Sequence, residues 1–371
     1  MFIKDPFSSR PSVTKTFADI DPNFQLPENV PADMRFHYAC QAPFDVYGVA
    51  PNRAGVLCRL PESMLPSCSE GVQRLAYHLA GACVRFTTDA AQLAVLWTLL
   101  ETGNMPHFAA SGQSGLELFE ESDAGIRQIK SIIPAMDQGH GCKMQQSSLV
   151  PLPGGLRHYA LYLPLYNGVT QLLIGLPEGA ALQTGRVPKI DRPIVFYGSS
   201  ITQGGCAGKV GSCYSNILCR RLDAAQINLG FSGNGRGEPL MAEYIASLSM
   251  SAFVLDYDHN APTPEHLAQT HEPFYWIIRE AQPELPILLV SRPDYDKFPE
   301  DSAIRRDIIR QTYEKALAAG DANVYFIDGK TLFGESDRDL CTVDGTHPTD
   351  LGFLRMADHL EPVLRKALHL C

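Results

Sequence analysis

From residue 194 onward the chain carries five short apolar runs, at 194–197, 226–229, 252–255, 286–290 and 323–327, each set apart from the next by a helix-like stretch. The intervening helices are expected at 212–222, 238–247, 265–281 and 302–319, with a last one at 349–368. Strands that are apolar along their length must be buried on both faces, and regular alternation with amphipathic helices supplies the cover. This pattern predicts a parallel sheet with helices on both sides. Before residue 194 the grammar differs. Segments 83–87, 92–97, 158–163 and 171–175 are short, rich in β-branched and aromatic residues, and punctuated by Gly, Pro or Asn. Long helical periodicity is scarce there, so a β-sandwich is the economical reading. A chain of 371 residues exceeds one typical core. The expectation is therefore a β domain over 1–185 and an α/β domain over 186–371, joined by a polar linker at 183–192 that holds Pro188 and is followed by Pro193.

Charge and cysteine usage narrow the function classes. The formal net charge of −10 argues against nucleic acid or an anionic membrane as the main partner, since both require clustered Lys and Arg. No apolar run is long enough to span a bilayer, and Met1 to Arg10 carries charge and proline where a signal peptide needs an unbroken apolar stretch. A cytoplasmic location is expected. The ten cysteines are scattered without a Cys-x-x-Cys pair or finger-like spacing, and Cys83 and Cys219 read as buried thiols.

In open parallel sheets, ligands bind beyond the carboxyl ends of the strands. Four short blocks sit there: Gly198-Ser-Ser-Ile-Thr202, Asn228-Leu-Gly-Phe-Ser-Gly233, Asp256-Tyr-Asp-His-Asn260 and Asp344-Gly-Thr-His-Pro348. The first three directly follow apolar runs, and the fourth precedes the last helix. Ser200, at a strand-to-helix turn, can project its hydroxyl into a cleft, although most serines in such a context merely cap a helix. His347 lies three residues after Asp344, close enough for the carboxylate to hold one imidazole nitrogen while the other faces Ser200. The alternative is that Asp344 caps the final helix. Asp256 and His259 have the same spacing but would leave no independent oxyanion donor. Donors for an oxyanion are available at the Ser200 N–H, the Gly233 N–H and the Asn260 amide.

Asp256, Asp258 and His259 crowd together and offer a metal reading, because Asp256, Asp258 and Asn260 would share one strand face. No further His or carboxylate run completes a site, so neither metal nor cofactor is expected. In the first half, His107, near Met105-Pro106, reads as a surface or satisfied core histidine, and it or Glu117 would reach the cleft only if the sandwich packs over it.

With the blocks in order, the chain resembles the SGNH (GDSL-type) hydrolase superfamily, whose Ser, Gly, Asn and His correspond to Ser200, Gly233, Asn260 and His347, with Asp344 as third triad member. It is similar in particular to two-domain bacterial GDSL-like acylhydrolases with a jelly-roll-like N-terminal domain. Gly115-Leu-Glu-Leu-Phe119 looks like a drifted Gly-x-Asp-Leu-Tyr signature, with Glu117 and Phe119 replacing the Asp and Tyr. Ser199 stands where the superfamily's name motif has Asp, and the Asn260 block lacks the usual preceding glycines. The resemblance implies a flavodoxin-like α/β/α catalytic domain behind a jelly-roll-like sandwich. It also implies a serine esterase acting on short acyl groups, acetyl above all, on a carbohydrate. The alternatives are a thioesterase or lysophospholipase-like acylhydrolase, and a catalytically inactive carbohydrate-binding protein. The expected partner is a small acylated sugar, and the sequence leaves room for a homo-oligomer.

Overall fold

The computed structural model describes residues 30–31, 33–50, 56–137 and 141–370. The Met1 to Arg10 segment lies outside them. The described residues separate into two compact units, one holding those up to 63, within 77–188 and at 209–211, the other those at 64–76, 189–208 and 212–370.

The first unit is built on antiparallel sheets. In one, the order is Met34–Tyr38, Val169–Pro177, Gln92–Leu99, Gln145–Pro151. In the other it is Leu182–Thr184, Cys83–Thr88, Arg157–Tyr162, Leu116–Ser122, Gly125–Ile132. Side chains two residues apart share a strand face. Leu93, Val95 and Trp97 of the first sheet accordingly meet Val84, Phe86, Tyr159 and Leu161 of the second in one core. The result is a β-sandwich. Glu117 is committed within this unit: its carboxylate accepts from the Gly211 N–H at 2.5 Å and from Gln128 Nε2 at 2.7 Å, and Lys209 Nζ lies 3.2 Å away. His107 stacks edge-on against Phe108.

In the second unit five parallel strands run in the order Ala224–Gly230, Ile190–Gly198, Ala252–Asp256, Ile287–Val290, Val324–Ile327. The first strand in the chain thus lies between the second and third, which is the flavodoxin-like order. Right-handed crossovers then send the helix after the first strand to one face and later ones to the other. Tyr214–Leu222 packs with Asp350–Ala367, while Pro239–Ser247, Pro264–Ala281 and Pro299–Ala318 pack in succession, completing three layers. The switch point, where crossovers diverge, lies between the carboxyl ends of Ile190–Gly198 and Ala252–Asp256.

Three sequence expectations change. The polar 183–192 stretch is connector only over 185–189, because Gln183 and Thr184 pair with Thr87 and Phe86, and Ile190 already pairs with Ala224. Backbone pairing at a sheet's edge does not need apolar side chains, and the register breaks only between Ile190 and Ile194, where Pro193 lacks an N–H. The helix expected from 302 starts at Pro299, since proline suits a first turn. Asp256, Asp258 and Asn260 do not share a strand face. The strand stops at Asp256, and Asp258–Asn260 is a 3-10 turn, to which period-two alternation does not apply. The nine described cysteines are all free, with Cys83 and Cys219 buried. No helix of the described residues is long and apolar enough to cross a membrane.

Candidate active site

Ser200 opens a one-turn helix, Ser200–Gln203, directly after the first strand. The N-cap is its neighbour: Ser199 Oγ accepts from the Ile201 N–H at 3.1 Å, and the Ser199 N–H donates to Thr202 Oγ1 at 3.1 Å. This reciprocal cap relieves Ser200 of the capping role. Below it, Asn228 Nδ2 donates to the Thr202 carbonyl at 2.7 Å, tying the turn to the second strand. Gly230 lets the two approach, since a Cβ there would lie 2.2 Å from the Gln203 nitrogen.

His347 and Asp344 share a tight loop before the last helix. Asp344 does not cap that helix; Thr349 does, accepting from the Gly352 N–H at 3.3 Å. Instead Asp344 Oδ1 accepts from the backbone N–H groups of Thr346 and His347 at 3.0 and 2.8 Å, and Oδ2 meets His347 Nδ1 at 2.7 Å. His347 Nε2 lies 3.0 Å from Ser200 Oγ. Burial alone would raise the Asp344 carboxyl, but the His347 hydrogen bonds outweigh it and hold the group at about 2. It is therefore an anion at any working pH, suited to keep a proton on Nδ1 and leave Nε2 as acceptor. Cys206 Sγ lies within 4.8 Å of a His347 ring nitrogen. Burial, with the Asp344 charge behind it, pushes this thiol up to about 12, so it stays protonated and is a poor competing nucleophile.

Gly233 and Asn260 line the same cleft of about 540 Å³ as Ser200 and His347. Gly233 has φ +69° and open space where a Cβ would stand, so conformation rather than crowding selects glycine. Its N–H has no hydrogen-bond partner among the described residues. The Phe231 carbonyl accepts from the Asn234 and Gly235 N–H groups at 2.8 and 2.9 Å and from Asn260 Nδ2 at 2.9 Å. One amide hydrogen of Asn260 is thus used for positioning, and the other is left for a ligand.

Asp256, Asp258 and His259 are each engaged in separate contacts. Asp256 Oδ2 accepts from Tyr214 Oη at 2.8 Å and Thr202 Oγ1 at 3.0 Å beneath the Ser200 turn, and burial pushes its carboxyl up to about 7. Asp258 Oδ2 accepts from the Arg292 N–H at 3.0 Å, and burial raises it to about 6. His259 faces Asp294, with Nδ1 3.6 Å from Oδ1.

A keystone not anticipated from the sequence sits between these loops. Arg292 donates from Nε and Nη2 to the two oxygens of Asp294, both at 2.8 Å. Asp294 Oδ2 also accepts from Thr346 Oγ1 at 3.1 Å. The pair therefore joins the Asn260 loop, through Asp258, to the His347 loop, through Thr346. Burial opposes ionisation of Asp294, yet the arginine fork drives its carboxyl well below the ordinary range. Ser291-Arg292-Pro293-Asp294 directly follows the fourth strand, so the strand-end rule that located the other blocks would have pointed here as well.

The model for the GDSL-like lipase/acylhydrolase family matches residues 191–365, and that for the N-terminus of SGNH hydrolase-type esterases matches 34–182. Residues 191–365 belong to the GDSL-like lipase/acylhydrolase family. This GDSL-like hydrolase is 27% identical to a Bacteroides ovatus protein described as a GDSL-like lipase, with a TM-score of 0.81 over 91% of this chain and 99% of that one. It is 21% identical to a salicylyl-acyltransferase from a tetracycline biosynthetic pathway, with a TM-score of 0.74 over 92% and 100% of the two chains. A family two carbohydrate esterase from Cellvibrio japonicus is 15% identical, with a TM-score of 0.57 over 91% and 98%. At those lower identities the likeness is one of fold. No curated protein matches the sequence. As a GDSL-like hydrolase the protein is an enzyme of the acylhydrolase and esterase type.

Proposed function

We propose that the protein is a serine esterase that removes a short acyl group, acetyl above all, from a carbohydrate, with residues 186–371 as catalytic domain and 1–185 as a jelly-roll-like companion. The observation that carries the chemistry is the unbroken chain Asp344 Oδ2, His347 Nδ1, His347 Nε2, Ser200 Oγ, with links of 2.7 and 3.0 Å. In this reading Ser200 Oγ bonds to the ester carbon while its proton passes to His347 Nε2, and the carbonyl π pair moves onto oxygen. The Ser200 and Gly233 N–H groups and Asn260 Nδ2 meet that oxyanion. Collapse breaks the bond to the alcohol, which leaves with the proton from Nε2. Water, deprotonated by the same nitrogen, then releases the acid. No step calls for a cofactor.

A lipid or thioester reading would need an extended apolar groove. The cleft is lined instead by Ser232, His259, Asp301, Arg292 and Arg305 among others, which favours a small polar ester. The test is hydrolysis of p-nitrophenyl acetate, butyrate and octanoate by wild type and Ser200→Ala. Serine-dependent turnover that falls with chain length supports the proposal. Turnover that rises with length favours the lipid reading, and none at all with an intact fold favours a sugar-binding protein.

A further inference from the structure

We propose that Asp301, Phe298 and His259 form the subsite for the alcohol part of the ester, shaped for a neutral, hydroxyl-rich ring. This rests on the esterase reading above and adds what the cleft recognises. Arg292 and Arg305 also line the cleft and at first suggest an anionic substrate. Most of their donors are already engaged. Arg292 holds Asp294 through Nε and Nη2 and reaches Asp301 Oδ2 from Nη1 at 3.1 Å. Arg305 Nε donates to the same Oδ2 at 2.7 Å, and its Nη1 donates to two backbone carbonyls at 2.8 and 3.0 Å. Each arginine side chain is only 6% exposed. Two buried cations face two carboxylates, so the cleft holds no net positive charge here to draw an anion.

What the cleft does offer is a fixed acceptor. Both arginines bind Oδ2 of Asp301, and its Oδ1 has no hydrogen-bond partner among the described residues, while the side chain is 38% exposed. A carboxylate clamped by two guanidiniums loses little freedom when a hydroxyl donates to it. His259 turns Nδ1 toward Asp294 and is 21% exposed at the cleft, so its ring adds a second polar contact. Phe298 is 55% exposed at the cleft and presents an apolar face. A pinned acceptor, an imidazole and an aromatic face match a ring with hydroxyls at its edge and C–H groups on its flat side. An acyl chain placed there would strip water from Asp301 and His259 without replacing their hydrogen bonds.

The experiment compares wild type, Asp301→Asn and Phe298→Ala on methyl glucopyranosides and xylopyranosides that carry one O-acetyl group at each position in turn, and on p-nitrophenyl acetate. Asp301→Asn turns the free acceptor into a donor. Phe298→Ala removes an exposed ring and its contact with Lys297 Nζ, 5.8 Å from the ring centroid, so it keeps the test available should the first variant fold poorly. Each is expected to lower kcat/KM on the acetylated glycosides roughly tenfold or more beyond its effect on p-nitrophenyl acetate, mainly through KM. Equal losses on both substrate types overturn the subsite. So does a wild type that cleaves p-nitrophenyl acetate through Ser200 but none of the glycosides. If no ester is turned over through Ser200, the esterase reading itself fails and the subsite falls with it.

Discussion

Replacing Asp344 by Asn isolates one function of that residue. Oδ1 of the new amide keeps its bonds to the Thr346 and His347 N–H groups, now 3.0 and 2.8 Å, so the loop retains its shape. Oδ2 becomes an NH₂ group against His347 Nδ1, which lies 2.7 Å away in the wild type. Two donors cannot face each other at that distance, so the imidazole shifts its proton to Nε2. That nitrogen, 3.0 Å from Ser200 Oγ, then donates where it must accept. The reactive tautomer forfeits a charge-assisted hydrogen bond of about 1.5–3 kcal/mol, and the imidazolium formed during attack loses its counter-charge. Together these predict a fall in kcat of about 10³–10⁴, or about 4–5.5 kcal/mol in barrier. Steady-state hydrolysis of p-nitrophenyl acetate, with circular dichroism to verify folding, measures it. A folded Asp344→Asn enzyme within tenfold of wild type would refute the tautomer argument and remove Asp344 from the site. Since the Asp344 carboxyl sits at about 2, an acid limb at mildly acidic pH cannot be assigned to it.

Three further outcomes are expected. Asn260→Ala should lower kcat by about two to three orders of magnitude with little change in KM, because its remaining amide hydrogen serves the oxyanion alone; a large KM effect with kcat preserved would make it a substrate-binding residue. Gly233→Ala should cost about 1–2 kcal/mol in chemical denaturation for its positive φ while retaining much of the activity, since alanine keeps the N–H; Gly230→Ala, pressed against Gln203, should be the more damaging. Stability should fall as pH rises between the ordinary carboxylate range and about 7, because folded Asp256 binds a proton there that the unfolded chain releases. Asp256→Asn should flatten that decline, and urea midpoints at about pH 5 and about pH 8 that move in parallel for both proteins would contradict it.

The strand-end blocks could be found without coordinates because their chemistry is local. Ser200 and Gly233 sit within a few residues of an apolar run, and a parallel sheet carries every such end to one edge. The Asp344 and His347 pair was legible for the same reason, three residues being the reach of a carboxylate to an imidazole. The turn at Asp258–Asn260 was not, because extended and 3-10 backbone place the same residues on different faces and no side-chain pattern separated them. The Arg292–Asp294 keystone was hidden too. Its partners, Asp258 and Thr346, lie far away in the chain, and only packing shows which carboxylate meets which cation.

Sequence by itself determined the α/β alternation, the β-rich first half and the identity of the groups at the strand ends, since each follows from short-range periodicity and residue chemistry. Tertiary structure decided that His347 Nε2 stands 3.0 Å from Ser200 Oγ, that Asp256 is a buried strut, and that the cleft's arginines are already neutralised. Those outcomes depend on distances between loops that the chain brings together only after folding, and a sequence records no such distances.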